Sequence, residues 1–290
     1  MRMGVHIADF TWPGGPQRLA EHLTTIAVAA EDLGFSRVSV MDHVFQIHVI
    51  GPPEHEMLDA YTTLGYLAAR TKRVELLAWV TAVTYRAPGL LAKIVSTLDV
   101  LSNGRAWLGI GAAWNEEEAR GLGLFFPSTA ERFERLEEAL QIYLQMCSDD
   151  DGPYRGKHYT LERTLNSPQT IQRPHPPILI GGGGEQKTLR LVAQYAQACN
   201  LFGSPELEHK LDVLRRRCDE VGRDYDEIEK TVMLPLDPGP DGENVDALLR
   251  ALEGLGKLGV AHVHSRIPGV EQIRPLEILA ERVIPQIADL

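Results

Sequence analysis

The chain is short of several things, and each shortage removes a class of protein. It holds three cysteines in 290 residues. Cys147, Cys199 and Cys218 are odd in number, far apart and in no Cys-x-x-Cys pattern, so they read as reduced thiols and not as a disulfide framework. Positive charge is also scarce: 29 Lys and Arg against 40 Asp and Glu leave a net charge of -11. An acidic surface does not attract nucleic acid or anionic membranes, so neither is expected as a partner, while a local basic pocket for an anionic cofactor stays open. No apolar run approaches the ~20 residues of a membrane-spanning helix, and the opening MRMGVHIADF lacks the apolar core of a signal peptide. A cytoplasmic protein is expected.

What is present is alternation. Short apolar or β-branched runs occupy 4–10, 37–43, 74–82, 105–111, 177–182, 199–203, 230–236 and 260–267. Between them lie longer segments with apolar residues at three- and four-residue spacing, the mark of helices buried on one side. Gly34, Gly104, Gly222 and Gly259 follow four of these segments, where a helix C-cap favours a left-handed residue. Strand–helix alternation implies parallel strands with helical crossovers. Eight such units match a (β/α)8 TIM barrel of ~250 residues plus insertions; a doubly wound open sheet is the runner-up. One domain over 1–290 is expected. Residues 148–176 fit neither pattern and read as a Pro-, Asp- and Gly-rich insertion after the fourth helix, of the kind that often forms a lid or ligand-binding loop.

In such a barrel chemistry sits at the C-terminal ends of the strands. Asp42 and His43 end the second strand, and an imidazole there can exchange a proton near neutral pH; the plainer alternative is a capping Asp beside a solvated His. ILIGGGGEQKTLRL (178–191) puts four glycines at a strand-to-helix junction, where backbone N–H groups suit a phosphate; the plainer alternative is a mobile turn. Neither this segment nor GIGAAWNEEE (109–118) matches GxGxxG, and Gln186 stands where GxxxxGK needs glycine, which disfavours Rossmann and Walker sites. The small residues of GIGAAWNEEE leave room for a planar ligand. Asn115 caps the next helix or touches that ligand, and Glu116, Glu117 and Glu118 read as a solvated first turn. His262 and His264 share one strand face, as metal ligands can. With His6 or Asp9 they keep a zinc hydrolase as an alternative, but no ligand set is complete and no metal is expected.

Three segments taken together resemble one family: DH after the second strand, TAVTYRAPGLLAKIVSTLDVLSNGRAWLGIGAAWNEEE, and RPHPPILIGGGG. They resemble the bacterial luciferase-like superfamily and, within it, the oxidoreductases that use the deazaflavin coenzyme F420. The likeness runs over nearly the whole chain and is strongest from 74 to 203. It implies a barrel that binds F420 as hydride carrier or, alternatively, FMN in a luciferase-like monooxygenase. In a deazaflavin, carbon replaces the flavin N5, and the protein need only position and polarise. Carried over by the resemblance, Asp42 contacts the cofactor and His43 is the proton donor or substrate polariser. Thr81 hydrogen-bonds the ring, Ala112 and Ala113 line its edge with Asn115 beside them, and a non-prolyl cis peptide joins Ala78 to Trp79 in a bulge behind it. Gly182, Gly183 and Gly184 hold the phosphate, with Thr188 adding a hydroxyl. Trp114 stands where the family's sugar-phosphate dehydrogenases place a catalytic Glu, which moves the expectation from sugar phosphates to a small unsaturated or carbonyl substrate. A non-catalytic cofactor binder and a homodimer are both admitted.

Overall fold

The computed structural model describes residues 1–290. Eight parallel strands close on themselves: β1 (Arg2–Ile7), β2 (Arg37–Val40), β3 (Glu75–Ala78), β4 (Ala106–Gly111), β5 (Ile178–Gly181), β6 (Ala198–Phe202), β7 (Glu229–Met233) and β8 (His262–Ser265). Each pairs with the next in chain order, and β8 returns to β1 with Arg2 opposite His262. The open-sheet alternative is therefore excluded. All eight apolar runs of the sequence became strands. The crossovers are α1 (Leu19–Asp32), α2 (Ala60–Ala68), α3 (Pro88–Ser102), a short α4 (Glu116–Gly121) followed by α5 (Thr129–Met146), α6 (Thr188–Tyr195), α7 (Leu207–Val221) and α8 (Val245–Lys257). The chain ends in α9 (Arg274–Arg282) and α10 (Ile284–Ile287), separated because Pro285 cannot donate to the carbonyl one turn back.

Strand alternation decides what fills the interior. Met3, Val5 and Ile7 face the helices and join an apolar cluster of 65 buried residues between the two layers. Gly4 and His6 face the axis. A Cβ on Gly4 would stand 2.9 Å from His262 Cε1 and 3.0 Å from the Arg37 carbonyl oxygen, so only glycine lets these strands carry large polar groups opposite it. At the N-terminal end Arg37 is wholly buried, 2.6 Å from Glu75 and 3.4 Å from Glu229. Its guanidinium also lies 3.9 Å from the Trp107 ring centroid. Above it His262, His264, Trp79 and His6 form a ladder of ring contacts with centroids 4.5–4.9 Å apart.

The insertion at 148–176 is present but is not a lid. It connects the C-terminal end of α5 to the start of β5, and that places its two ends at the face opposite the strand C-termini. A small antiparallel hairpin (Tyr154–Arg155 with Thr160–Leu161) climbs the outer wall. Glu138 of α5 accepts the Lys157, His158 and Tyr159 amides at the hairpin tip. A Cβ on Gly156 would meet that carboxylate at 2.2 Å. Asp99 of α3 accepts the Ile171 and Gln172 amides, and Gln172 donates to the Ala106 carbonyl at 2.7 Å. The segment clamps α3 to α5. No helix of the chain is long and apolar enough to cross a membrane.

Candidate active site

The C-terminal mouth is built around a break in β3. Leu77 pairs with Trp107, but the next registered pair is Thr81 with Ile110, so β3 spends one residue more than β4 over the same rise. That extra residue makes a bulge, and the cis peptide lies within it, between Trp79 and Val80. The expected Ala78–Trp79 position is corrected by one bond. The Trp79 amide still donates to the Val40 carbonyl at 2.8 Å, so the peptide before it belongs to the regular ladder and the departure comes after it. Gly109 allows the close approach, since a Cβ there would stand 2.2 Å from the Ala78 carbonyl oxygen. Val80 then covers Gly111 and Gly181, whose added Cβ atoms would lie 3.0 and 3.1 Å from its side chain. The indole of Trp79 drops into the barrel, against His6 and His264.

Asp42 and His43 divide at the end of β2. Asp42 is buried, with Arg86 Nη1 at 2.9 and 2.7 Å from its two oxygens and the Ala82 amide at 3.2 Å. Burial pushes its carboxyl up, and the Arg86 guanidinium opposes that shift. Arg86 reaches on to Asp59, the N-cap of α2. Asp42 therefore fastens the far side of the bulge. His43 instead turns toward the mouth, its side chain 16% exposed, with Nδ1 on the Glu118 carboxylate and Nε2 bonded to nothing in the protein. Thr81 does not face the mouth. It is fully buried, and its hydroxyl pairs with Tyr61 at 2.7 Å behind the bulge, so only its backbone remains for a ring.

Beyond β4, Ala112 and Ala113 border the opening. The Ala112 carbonyl accepts from Arg132 at 3.0 Å. Ala113 holds φ +61°, a region L-residues enter at roughly 1–2 kcal/mol, and the turn leaves Trp114 55% exposed with its ring 5.4 Å from His43. Asn115 occupies the N-cap of α4 yet makes no capping hydrogen bond, which leaves its amide group uncommitted.

The glycine run begins where β5 ends. Gly182 has φ +119°, which lets the chain turn off the strand while its amide still reaches the Asn200 carbonyl. From Gly183 through Lys187 no amide donates to any protein acceptor. Five consecutive free N–H groups before α6 are the donor set that an anionic oxygen cluster requires. Thr188 is buried, and its hydroxyl would lie 2.9 Å from a Cβ on Gly184, so glycine is needed there to keep the loop close to that residue. Glu185 ties the loop to α7 through Lys210 at 2.6 Å and His209 at 3.1 Å.

The histidines that suggested zinc take up the interior instead. His6 Nδ1 meets Ser39, His262 Nε2 meets Ser36, and His264 Nε2 faces the Arg37 guanidinium. No three His, Cys, Asp or Glu side chains converge as a ligand set. Residues that the sequence did not single out are Arg86, Tyr61 and Val80, and Glu118, expected in a solvated first turn, is instead buried.

A closed parallel barrel with free donors and an imidazole at its C-terminal mouth has the layout of a (β/α)8 enzyme. The profile of the luciferase-like monooxygenase family matches residues 1–277, and the chain belongs to that family. It is similar to the F420-dependent glucose-6-phosphate dehydrogenase of Microbacterium testaceum, with 31% identity over 235 residues, covering 78% of this chain and 66% of that one. The chain thus spans just under two thirds of that relative's length. The coenzyme F420-dependent tetrahydromethanopterin reductase from Methanopyrus kandleri superposes with a TM-score of 0.78 at 18% identity, covering 99% of each chain. The FMN-bound oxygenating constituent of 3,6-diketocamphane monooxygenase from Pseudomonas putida gives 0.74 at 16%, again over 99% of each. At these identities the two structures speak for the fold alone.

Proposed function

We propose that this protein is an F420-dependent oxidoreductase that moves a hydride between the bound deazaflavin and a small carbonyl or unsaturated organic compound. The observation that carries it is the run of free amides from Gly183 to Lys187 on the same mouth as the Val80 bulge and the His43 imidazole. These residues fit the coenzyme in parts. The glycine loop would hold its phosphate, Val80 would stand behind its ring, and Ala112, Ala113 and Asn115 would border the ring edge. When bound, the deazaflavin supplies a two-electron hydride acceptor or donor. The protein's own contribution is proton exchange between His43 Nε2 and the substrate oxygen.

The F420-dependent relatives support this choice over FMN, although a phosphate cradle serves both coenzymes. Titration of the purified protein with each decides between them. Micromolar F420 binding with much weaker FMN binding is expected; the reverse preference overturns the assignment in favour of a monooxygenase.

A further inference from the structure

Glu118 is completely buried, and a carboxylate in that position is tolerated only when its oxygens are used. One oxygen meets His43 Nδ1 in a short contact. The other accepts the Val44 amide at 2.8 Å and the Phe45 amide at 3.2 Å, and the Tyr85 phenol stands beside the pair. Burial alone would raise the Glu118 carboxyl, but the hydrogen bonds from His43, Tyr85 and Val44 outweigh it and hold the group below the ordinary range. Glu118 is therefore an anion at neutral pH, and an ionised carboxylate can only accept. The proton between the two groups must sit on His43 Nδ1. The lone pair of the neutral ring then lies on Nε2, the nitrogen left free at the mouth.

We propose that Glu118 is the positioning residue that fixes His43 in the Nδ1–H tautomer and so makes Nε2 the atom that takes a substrate's hydroxyl proton. This rests on the reading of the mouth as a hydride-transfer site. In oxidation of a CH–OH carbon the neutral ring is the base. The carbon would give its hydride to the deazaflavin, the O–H bonding pair would become the new C=O bond, and the proton would pass to Nε2. Reduction of the carbonyl starts from the doubly protonated ring. Glu118 also couples two loops, because it sits on α4 while its amide partners follow His43. A Cβ on the neighbouring Gly121 would meet the Phe45 ring at 2.8 Å.

Glu118→Gln tests the assignment, because the amide is isosteric but not equivalent. Its oxygen must stay on the Val44 and Phe45 amides, and that turns its NH2 toward His43 Nδ1 and inverts the tautomer. Long-range 15N–1H NMR of the unliganded protein, with His43 assigned from a His43→Gln variant, should show Nδ1–H in the wild type and Nε2–H in Glu118→Gln. Turnover of the variant should fall at least 100-fold with KM nearly unchanged, the range expected for losing a correctly held base. An Nε2–H tautomer in the wild type, which can be read even if the variant fails to fold, overturns the proposal, as does an unchanged tautomer in a folded variant. The tautomer is read without coenzyme. A protein that shows both expected tautomers but binds no F420 therefore refutes the cofactor assignment and leaves the Glu118 assignment standing.

Discussion

The two ends of this barrel treat polar groups in opposite ways. At the N-terminal end Arg2, Arg37, Glu75 and Glu229 satisfy one another, and Arg105 spends its guanidinium on five oxygens of the surrounding turns. At the C-terminal end five amides from Gly183 to Lys187, the Asn115 side chain and His43 Nε2 have no protein partner. Hydrogen bonds completed within the chain contribute to the fold; those left open at a mouth are available to a ligand. Substitutions at the first end should cost stability, and substitutions at the second should cost binding or rate.

The largest effect is expected at His43. His43→Ala should lower turnover by ~10²–10⁴-fold, the usual worth of acid–base help, with coenzyme affinity nearly unchanged and only about 1 kcal/mol lost from stability as the buried Glu118 gives up one partner. Steady-state kinetics beside a thermal melt would show it. An equal loss of stability would mean that the mouth is as structural as the floor.

The matching change at the other end is Arg37→Met. It leaves Glu75 and Glu229 with only the half-exposed Arg2 as cation and removes the contact with Trp107. A loss of about 3 kcal/mol is expected in urea unfolding, with coenzyme affinity kept. A variant as stable as the wild type would show that the ion-paired floor contributes nothing net.

The imidazole column makes a pH prediction. Burial pushes His6 down to about 3, and His262 and His264 are pushed well below their ordinary value for the same reason. Below about pH 6.5 the unfolded histidines take up protons that the folded ones refuse. Stability is therefore full above that pH and falls as the pH drops from about 6.5 toward 3, by about 1.4 kcal/mol per pH unit for His6 alone. His6→Phe should show a shallower fall over that window. Parallel curves for variant and wild type would place a normally titrating imidazole at residue 6.

The fold was legible because its signals are periodic and repeated. Eight apolar runs and the glycines that close α1, α3 and α7 and follow α8 all fall where local rules put them, with φ of +88°, +80°, +69° and +81° at Gly34, Gly104, Gly222 and Gly259. Within the site, position in the barrel was enough to single out His43 and the glycine run, since both end strands. Contacts made across loops were not legible. Three consecutive glutamates at a six-residue helix give no period to say which one turns inward, so Glu118 read as solvated. Asp42 and Thr81 were placed at the right level, but their partners, Arg86 from the next loop and Tyr61 from α2, turn them behind the bulge. The cis bond falls one residue later than the resemblance implies, because the extra residue of the bulge has no sequence mark. The side on which the insertion lies, in contrast, follows from topology: a segment between a helix and the next strand begins and ends at the N-terminal face.

The smallest substitution is also the most direct test of the open-donor mouth. Gly183 has an ordinary φ, and a Cβ there would find its nearest protein atoms at 3.9 Å, in ordinary van der Waals contact, so the fold has room for one. Gly183→Val should leave the melting temperature within a few degrees and weaken F420 binding more than tenfold, the loss of one to two charge-assisted hydrogen bonds. The phosphate-free deazaflavin fragment, held by its ring alone, should bind variant and wild type alike. Titrating both ligands into both proteins is the decisive measurement. Loss confined to the phosphate-bearing coenzyme is the predicted result; equal loss for coenzyme and fragment, or an unfolded variant, would contradict the phosphate cradle.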